Sequence, residues 1–251
     1  MEHFALAAQV FGIGLVFTRV GALVMLLPGI GEAAIPARIR LAFALVLALV
    51  MYPIVRAGLP PVPDSLAALV GQMGIELVVG LGLGALLRMF LGALAVAGEI
   101  VSLQTTLSFA QTTNPLQAQP TASVSAFLGL LGVTLVFVTD LHQLFIGAIA
   151  HSYALFPAGR TPRIGDLADL AIRTFAETFT LGLQLSAPVL VFALVFNVAL
   201  GLVARIMPQF QVFFAAQPLS LLLGLSVFAL SLGAMGLVWL DRFRAFVERL
   251  A

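Results

Sequence analysis

SLQTTLSFAQTTNPLQAQPTAS, Ser102 to Ser123, is the stretch on which the reading of this chain turns. It holds four glutamines, one asparagine, a run of Ser and Thr hydroxyls, two prolines and no charge. A neutral polar run is not an ordinary solvated loop, which carries Lys, Asp or Glu. Nor can it face lipid as irregular backbone, because each unpaired N–H or C=O there costs several kcal/mol. The stretch therefore belongs inside protein or along a watery path, and the apolar sequence around it is the scaffold that holds it.

That scaffold is of membrane class. The 251 residues are 61% hydrophobic and 9% charged, against roughly 25% charged in soluble domains. Charges are absent from Gln104 to Thr139, Thr178 to Ala204 and Ile206 to Leu240, runs longer than the ~20 residues that span a bilayer. Every basic residue is arginine, and twelve of them face eleven acids, so no basic patch speaks for nucleic acid. With no cysteine, disulfides and thiolate metal sites are excluded. The N-terminus, MEHFALAAQV, lacks a basic n-region, so the first apolar segment is expected to stay in the mature protein.

The expected fold is all-α and polytopic, built of long, partly broken helices and hairpins. Segment one runs from Phe4 to Leu27 and ends at Pro28, Gly29, Gly31 and Pro36. Segment two, Leu41 to Val55, has fifteen residues and reaches only about 22 Å, short of a ~30 Å hydrocarbon core. Asp64 or Ser65 caps a long helical pattern from Leu66 to about Thr106, in which Gly80 and Gly84 fit close helix contact. Segment five spans Val124 to Tyr153, segment six Leu167 to Ile206, and segment seven Val212 to Leu240, before an amphipathic tail, DRFRAFVERLA. Arginines 160, 163, 173, 242, 244 and 249 go to the cytoplasmic side by the positive-inside rule.

Ionisable residues within apolar segments are functional candidates by default. They are Arg19, Glu76, Arg88, Glu99, Asp140, Glu177 and Arg205, and the plainest role for them is pairing across helices or subunits rather than proton relay. His142 and His151 lie about 13 Å apart along a helix, too far to share a metal. No hydrolase or metalloprotease signature occurs, and neither an enzyme nor a cofactor is expected. In segment six, Gln184, Ser186, Pro188, Asn197, Gly201 and Arg205 are expected to form one polar face. Pro208, Gln209, Gln211, Gln217 and Pro218 form a second neutral break. Two such breaks also fit an ion- or proton-coupled secondary transporter, although the flanking segments do not read as the inverted repeats it needs.

Three motifs together resemble the FliR family of flagellar export-gate membrane proteins, related to SctT of injectisomes. They are RVGALVMLLPGIGEAAIPARIRLAFAL (Arg19 to Leu45), EIVSLQTTLSFAQTTNP (Glu99 to Pro115) and LQLSAPVLVFALVFNVALGLVARIMPQFQVFFAAQP (Leu183 to Pro218). The resemblance implies a subunit of a funnel-shaped gate with FliP- and FliQ-like partners. FlhB- and FlhA-like proteins, unfolded flagellar subunits as substrates and inner-membrane lipid complete its surroundings. It implies a FliP-like part over 1–173, a FliQ-like hairpin over 174–240 and a tail over 241–251. Much of the gate would sit above the membrane plane, which would accommodate the short second segment. It also implies that Leu107 to Thr121 is a pore plug, with Leu107, Ser108, Phe109, Gln111, Thr112, Thr113, Asn114 and Pro115 in the plug or lining. Pro28, Pro36, Arg40, Pro188, Asn197, Arg205, Pro208 and Gln209 are the expected helix-break or subunit-contact positions.

Overall fold

The computed structural model describes residues 2–32, 35–105, 107, 123–162, 164–207, 209 and 211–250. Uninterrupted apolar sequence becomes uninterrupted helix. The described residues form α1 (Glu2–Val24), α2 (Ala37–Val55), α3 (Leu66–Gln104), α4 (Ser123–Val138), α5 (Leu141–Leu155), α6 (Ile164–Ile206) and α7 (Val212–Leu250), with no strand among them. Five helices are long and apolar enough to cross a membrane, or six spans if α4 and α5 count as one broken span. The all-α polytopic expectation holds.

Four details differ from the sequence-based expectation. Segment two is longer, because Pro36 starts the helix with an extended backbone and Arg38 and Arg40 join its first turns. With the 3-10 turn Arg56–Gly58 it reaches 22 residues, enough to span. Segment five is broken: Asp140 takes a left-handed conformation (φ 58°), which ends α4 and starts α5. An aspartate tolerates that conformation where most side chains do not. Pro188 and Pro218 lie inside α6 and α7, so neither breaks its helix, and the second break is confined to residues 207–211. Last, α6 has no single polar face. Ser186 is fully buried and its hydroxyl donates to the Leu183 carbonyl, while Gln184, Pro188, Asn197, Gly201 and Arg205 are exposed. The 100° step per residue explains this, since Ser186 lies two positions from Gln184 and hence on the opposite side.

Two compact units arise from these helices, with α3, α4, α6 and α7 contributing to both. The first comprises residues up to Phe90, Phe137–Phe175 and the chain end from Arg244. In it α1 and α3 run parallel, since Gly14 meets Met73, Gly80 meets Arg19 and Ala22, and Gly84 meets Leu23 and Leu26. Leu15, Val16, Val20, Val24, Ala44 and Ala48 are among its buried side chains. Ser65 accepts the Ala68 N–H at the start of α3, as one of the two expected caps. The tail of the chain is the last part of α7, with Phe243, Phe246, Val247 and Leu250 inward and Asp241, Arg242, Arg244, Glu248 and Arg249 exposed. Phe246 stacks on Phe90, their centroids 4.6 Å apart.

The second unit holds Leu91–Val136 and Ala176–Phe243. Here the end of α3 and the start of α4 are antiparallel, pairing Gly98 with Ser125 and Leu94 with Gly132. On α6, Gly182 receives Val96 of α3; on α7, Gly224 receives Thr105 of α3 and Phe192 of α6. The Phe192–Gly224 contact is centred on the 207–211 break, so α6 and α7 form a hairpin. Trp239, fully buried, stacks on Phe243 at 4.9 Å.

Gly80 tests the packing most directly. A methyl there would occupy the space of the Arg19 carbonyl and approach Ala22 Cβ to 2.9 Å. Overpacking of that kind costs about 1–3 kcal/mol. Gly80→Ala is expected to lower the midpoint of thermal unfolding in detergent, and an unchanged midpoint would contradict the α1–α3 contact.

Candidate functional site

The polar stretch joins the ends of α3 and α4. Helix α3 ends at Gln104 and α4 begins at Ser123, and Leu107 between them is half-buried. Ser108, Phe109, Gln111, Thr112, Thr113, Asn114 and Pro115 lie outside the described residues. The flanks are well defined. Ser102 and Thr105 have no exposed surface, and the Thr105 hydroxyl donates to the Val101 carbonyl at 2.8 Å. Ser125 crosses the neck, its hydroxyl donating to the Ala95 carbonyl at 3.1 Å.

The expected break and contact positions fall in several environments. Pro28 is buried in the turn after α1, and Pro36 precedes α2 and is exposed. Arg40 reaches back across that connection, donating to the Gly31 carbonyl at 3.2 Å. Asn197, Arg205 and Gln209 are exposed, with Arg205 in the last turn of α6 where a cation favours the helix end. Pro208 lies outside the described residues. The structure thus does not gather these residues into one place; they mark the ends and outer faces of several helices.

What the structure does gather is a pair of charges that sequence reasoning named only separately. Arg19 of α1 and Glu76 of α3 are both fully buried, and Arg19 Nε donates to Glu76 Oε2 at 2.6 Å. Nη1 donates to the Ser152 carbonyl and hydroxyl at 3.1 and 3.3 Å, and Nη2 to the Phe156 carbonyl at 2.8 Å. The Tyr153 ring lies 4.0 Å from the guanidinium carbon. The second carboxylate oxygen of Glu76 accepts the Gly159 N–H at 3.1 Å. Gly159 has φ +73°, and Pro60 would crowd any Cβ there at 2.9 Å. Arg19 therefore serves the Phe156 carbonyl just past α5 and adds a second donor to the Ser152 carbonyl, which also accepts the Phe156 N–H, while Glu76 holds the turn that follows.

The fork geometry explains why arginine is suited to this place. A planar guanidinium can serve a carboxylate and two carbonyl groups at once, whereas a lysine ammonium is a point donor. The sequence signal was present as two opposite charges in apolar helices, but their 57-residue separation hid the pairing. The other candidates disperse: Arg88 comes within 3.9 Å of Glu32, both about half exposed. His142 lies 4.0 Å from Asp140 and stacks on Phe137, while His151 is exposed.

Removing one member of a buried pair leaves an uncompensated charge, which costs about 3–5 kcal/mol. Glu76→Ala and Arg19→Leu should each lose most folded protein, measured as the monodisperse fraction after detergent extraction. The double change Arg19→Leu with Glu76→Leu should stay impaired, since the Phe156 carbonyl and the Gly159 N–H lose their partners. Full recovery in the double variant would reduce the cluster to a simple ion pair.

Long apolar helices with buried charges and polar breaks define a polytopic membrane protein. The profile of the bacterial export proteins, family 1, matches residues 10–246. The flagellar biosynthetic protein FliR of Caulobacter vibrioides is 54% identical over 248 residues, 99% of each chain. FliR of Pectobacterium carotovorum subsp. carotovorum is 28% identical over 216 residues, covering 86% of this chain and 82% of its own. FliR of Aquifex aeolicus is 28% identical over 232 residues, 92% and 89% of the two chains. The chain belongs to this family, the FliR family of the flagellar export apparatus.

Proposed function

We propose that this chain is a pore-forming subunit of the flagellar export gate in the bacterial inner membrane. It works within a hetero-oligomer with FliP- and FliQ-like subunits, beside FlhB- and FlhA-like proteins, and unfolded flagellar subunits pass through. One observation carries the reading: the exposed apolar face of α6 is too long for lipid to cover. On α6, exposed apolar side chains run from Ile172 to Ile206, 35 residues or about 51 Å of helix. A hydrocarbon core of about 30 Å covers such a helix only at tilts beyond the ~40° that membrane helices adopt. The remainder needs protein neighbours of the same apolar character, and the membrane-length spans of a multi-subunit gate provide them. This does not need the short second segment, which is long enough to span after all.

Within that assembly the Leu107 to Thr121 segment is the pore plug, with Phe109 as its bulky apolar element. Its position between the ends of α3 and α4, in an uncharged stretch, supports this, since hydrophobic constrictions close pores by dewetting. The parts 1–173 and 174–240 correspond to a FliP-like body and a FliQ-like hairpin. The secondary-transporter alternative loses ground because the second glutamine-rich break is the turn of a hairpin and Pro188 and Pro218 sit in unbroken helix.

Deleting Leu107 to Thr121 should leave co-purification with the partner subunits intact and raise ion leakage through the reconstituted complex by at least tenfold. Phe109→Ala should raise it less. Unchanged conductance in the assembled deletion complex would remove the plug role, and a stable monomer taking up a small solute in liposomes would overturn the gate.

A further inference from the structure

We propose that the α3–α4 hairpin of the second unit is a fixed clamp, whose contacts stay closed while the export path opens. The proposal rests on the gate reading above. At Gly98 the two helix backbones meet with no side chain between them: a Cβ there would stand 2.6 Å from the Ser125 nitrogen and 3.0 Å from its Cβ. The Ser125 hydroxyl ties the same level, donating to the Ala95 carbonyl of the facing helix. Farther from the tip, Gly132 receives Leu91 and Leu94 from α3, and a Cβ there would stand 3.6 Å from Trp239 of α7.

Nothing along this seam has the looseness of a hinge. Ala93, Leu94, Ala97, Val101, Ser102 and Thr105 of α3 and Leu128 of α4 have no exposed surface. Thr105, at the tip end, also packs on Gly224 of α7, which fixes α3 from a second side. In an apolar surround, helices associate through such close approach, and interhelical hydrogen bonds add to it. Separating α3 from α4 would forfeit the whole interlock at once and leave the Ser125 hydroxyl without its carbonyl across the seam. The displacement that opens a path therefore does not part this seam, and no substrate passes between α3 and α4.

The chain has no cysteine, so Leu94→Cys with Gly132→Cys places its only two thiols across the seam. In cells exporting flagellar subunits through a complex that carries this variant, an oxidant is added after assembly and then reversed with a reductant. Disulfide should form in most of the assembled complex, and the rate of subunit secretion should stay within about twofold of the reduced state. Secretion that stops on oxidation and returns on reduction would overturn the clamp, as would failure of the disulfide to form. Gly98→Ala supplies an independent check: forcing the backbones apart should reduce secretion at least fivefold, and unaltered secretion would also overturn it. The plug deletion reports on a different property, so an unchanged conductance there would remove the plug while leaving these secretion outcomes interpretable.

Discussion

A guanidinium and a carboxylate shut away from all solvent hold the first unit together. Arg19 and Glu76 bring α1, α3, α5 and the Phe156–Gly159 turn to one point. The constraint behind this is general, since backbone groups removed from water must find partners inside the protein. The Phe156 carbonyl just past α5 is such a group, and a fork of N–H donors from α1 serves it and adds to the Ser152 carbonyl, which also accepts the Phe156 N–H. A charge fit for that purpose is too costly to bury alone, which explains the carboxylate opposite it. The carboxylate then takes up the Gly159 N–H in turn.

The second unit relies on a different device. Its helices meet through small residues, with Gly98, Gly132, Gly182 and Gly224 each receiving a side chain or backbone from a neighbour. Charge is scarce there, and hydroxyls do the polar work locally, as Ser125 does across the neck and Ser186 within its own helix. The result is a seam of four helices, α3, α4, α6 and α7, closed by close approach at glycines. The two units thus answer the same problem of burial without water by opposite means, one by a saturated charge cluster and the other by close backbone approach.

The outer faces complete the picture of a family member of the flagellar export apparatus. Apolar side chains stand exposed along α6 from Ile172 to Ile206, beyond what a bilayer covers. For an isolated soluble protein such surfaces would be a liability. In a membrane assembly they are the surfaces against which lipid and neighbouring helices pack.

Much of this was legible in the residues. Hydropathy and the lack of charge decided the helices; Gly80 and Gly84 were readable as close contacts, and Ser65 as a cap, because these depend on local sequence. The neutral stretch is expected to be sheltered because its composition suits neither water nor lipid, but most of it lies outside the described residues. Other features needed the third dimension. Whether Pro188 breaks a helix depends on the packing that holds α6 straight through it, and whether Ser186 joins Gln184 depends on which side of α6 is covered. The left-handed turn at Asp140 cuts what hydropathy alone shows as a single run. The pairing of Arg19 with Glu76 across 57 residues is a property of neighbouring helices, not of either segment. The sequence by itself settled what must be buried. Only the tertiary structure decided what each buried group meets, because partners are chosen by distance in space and not by spacing along the chain.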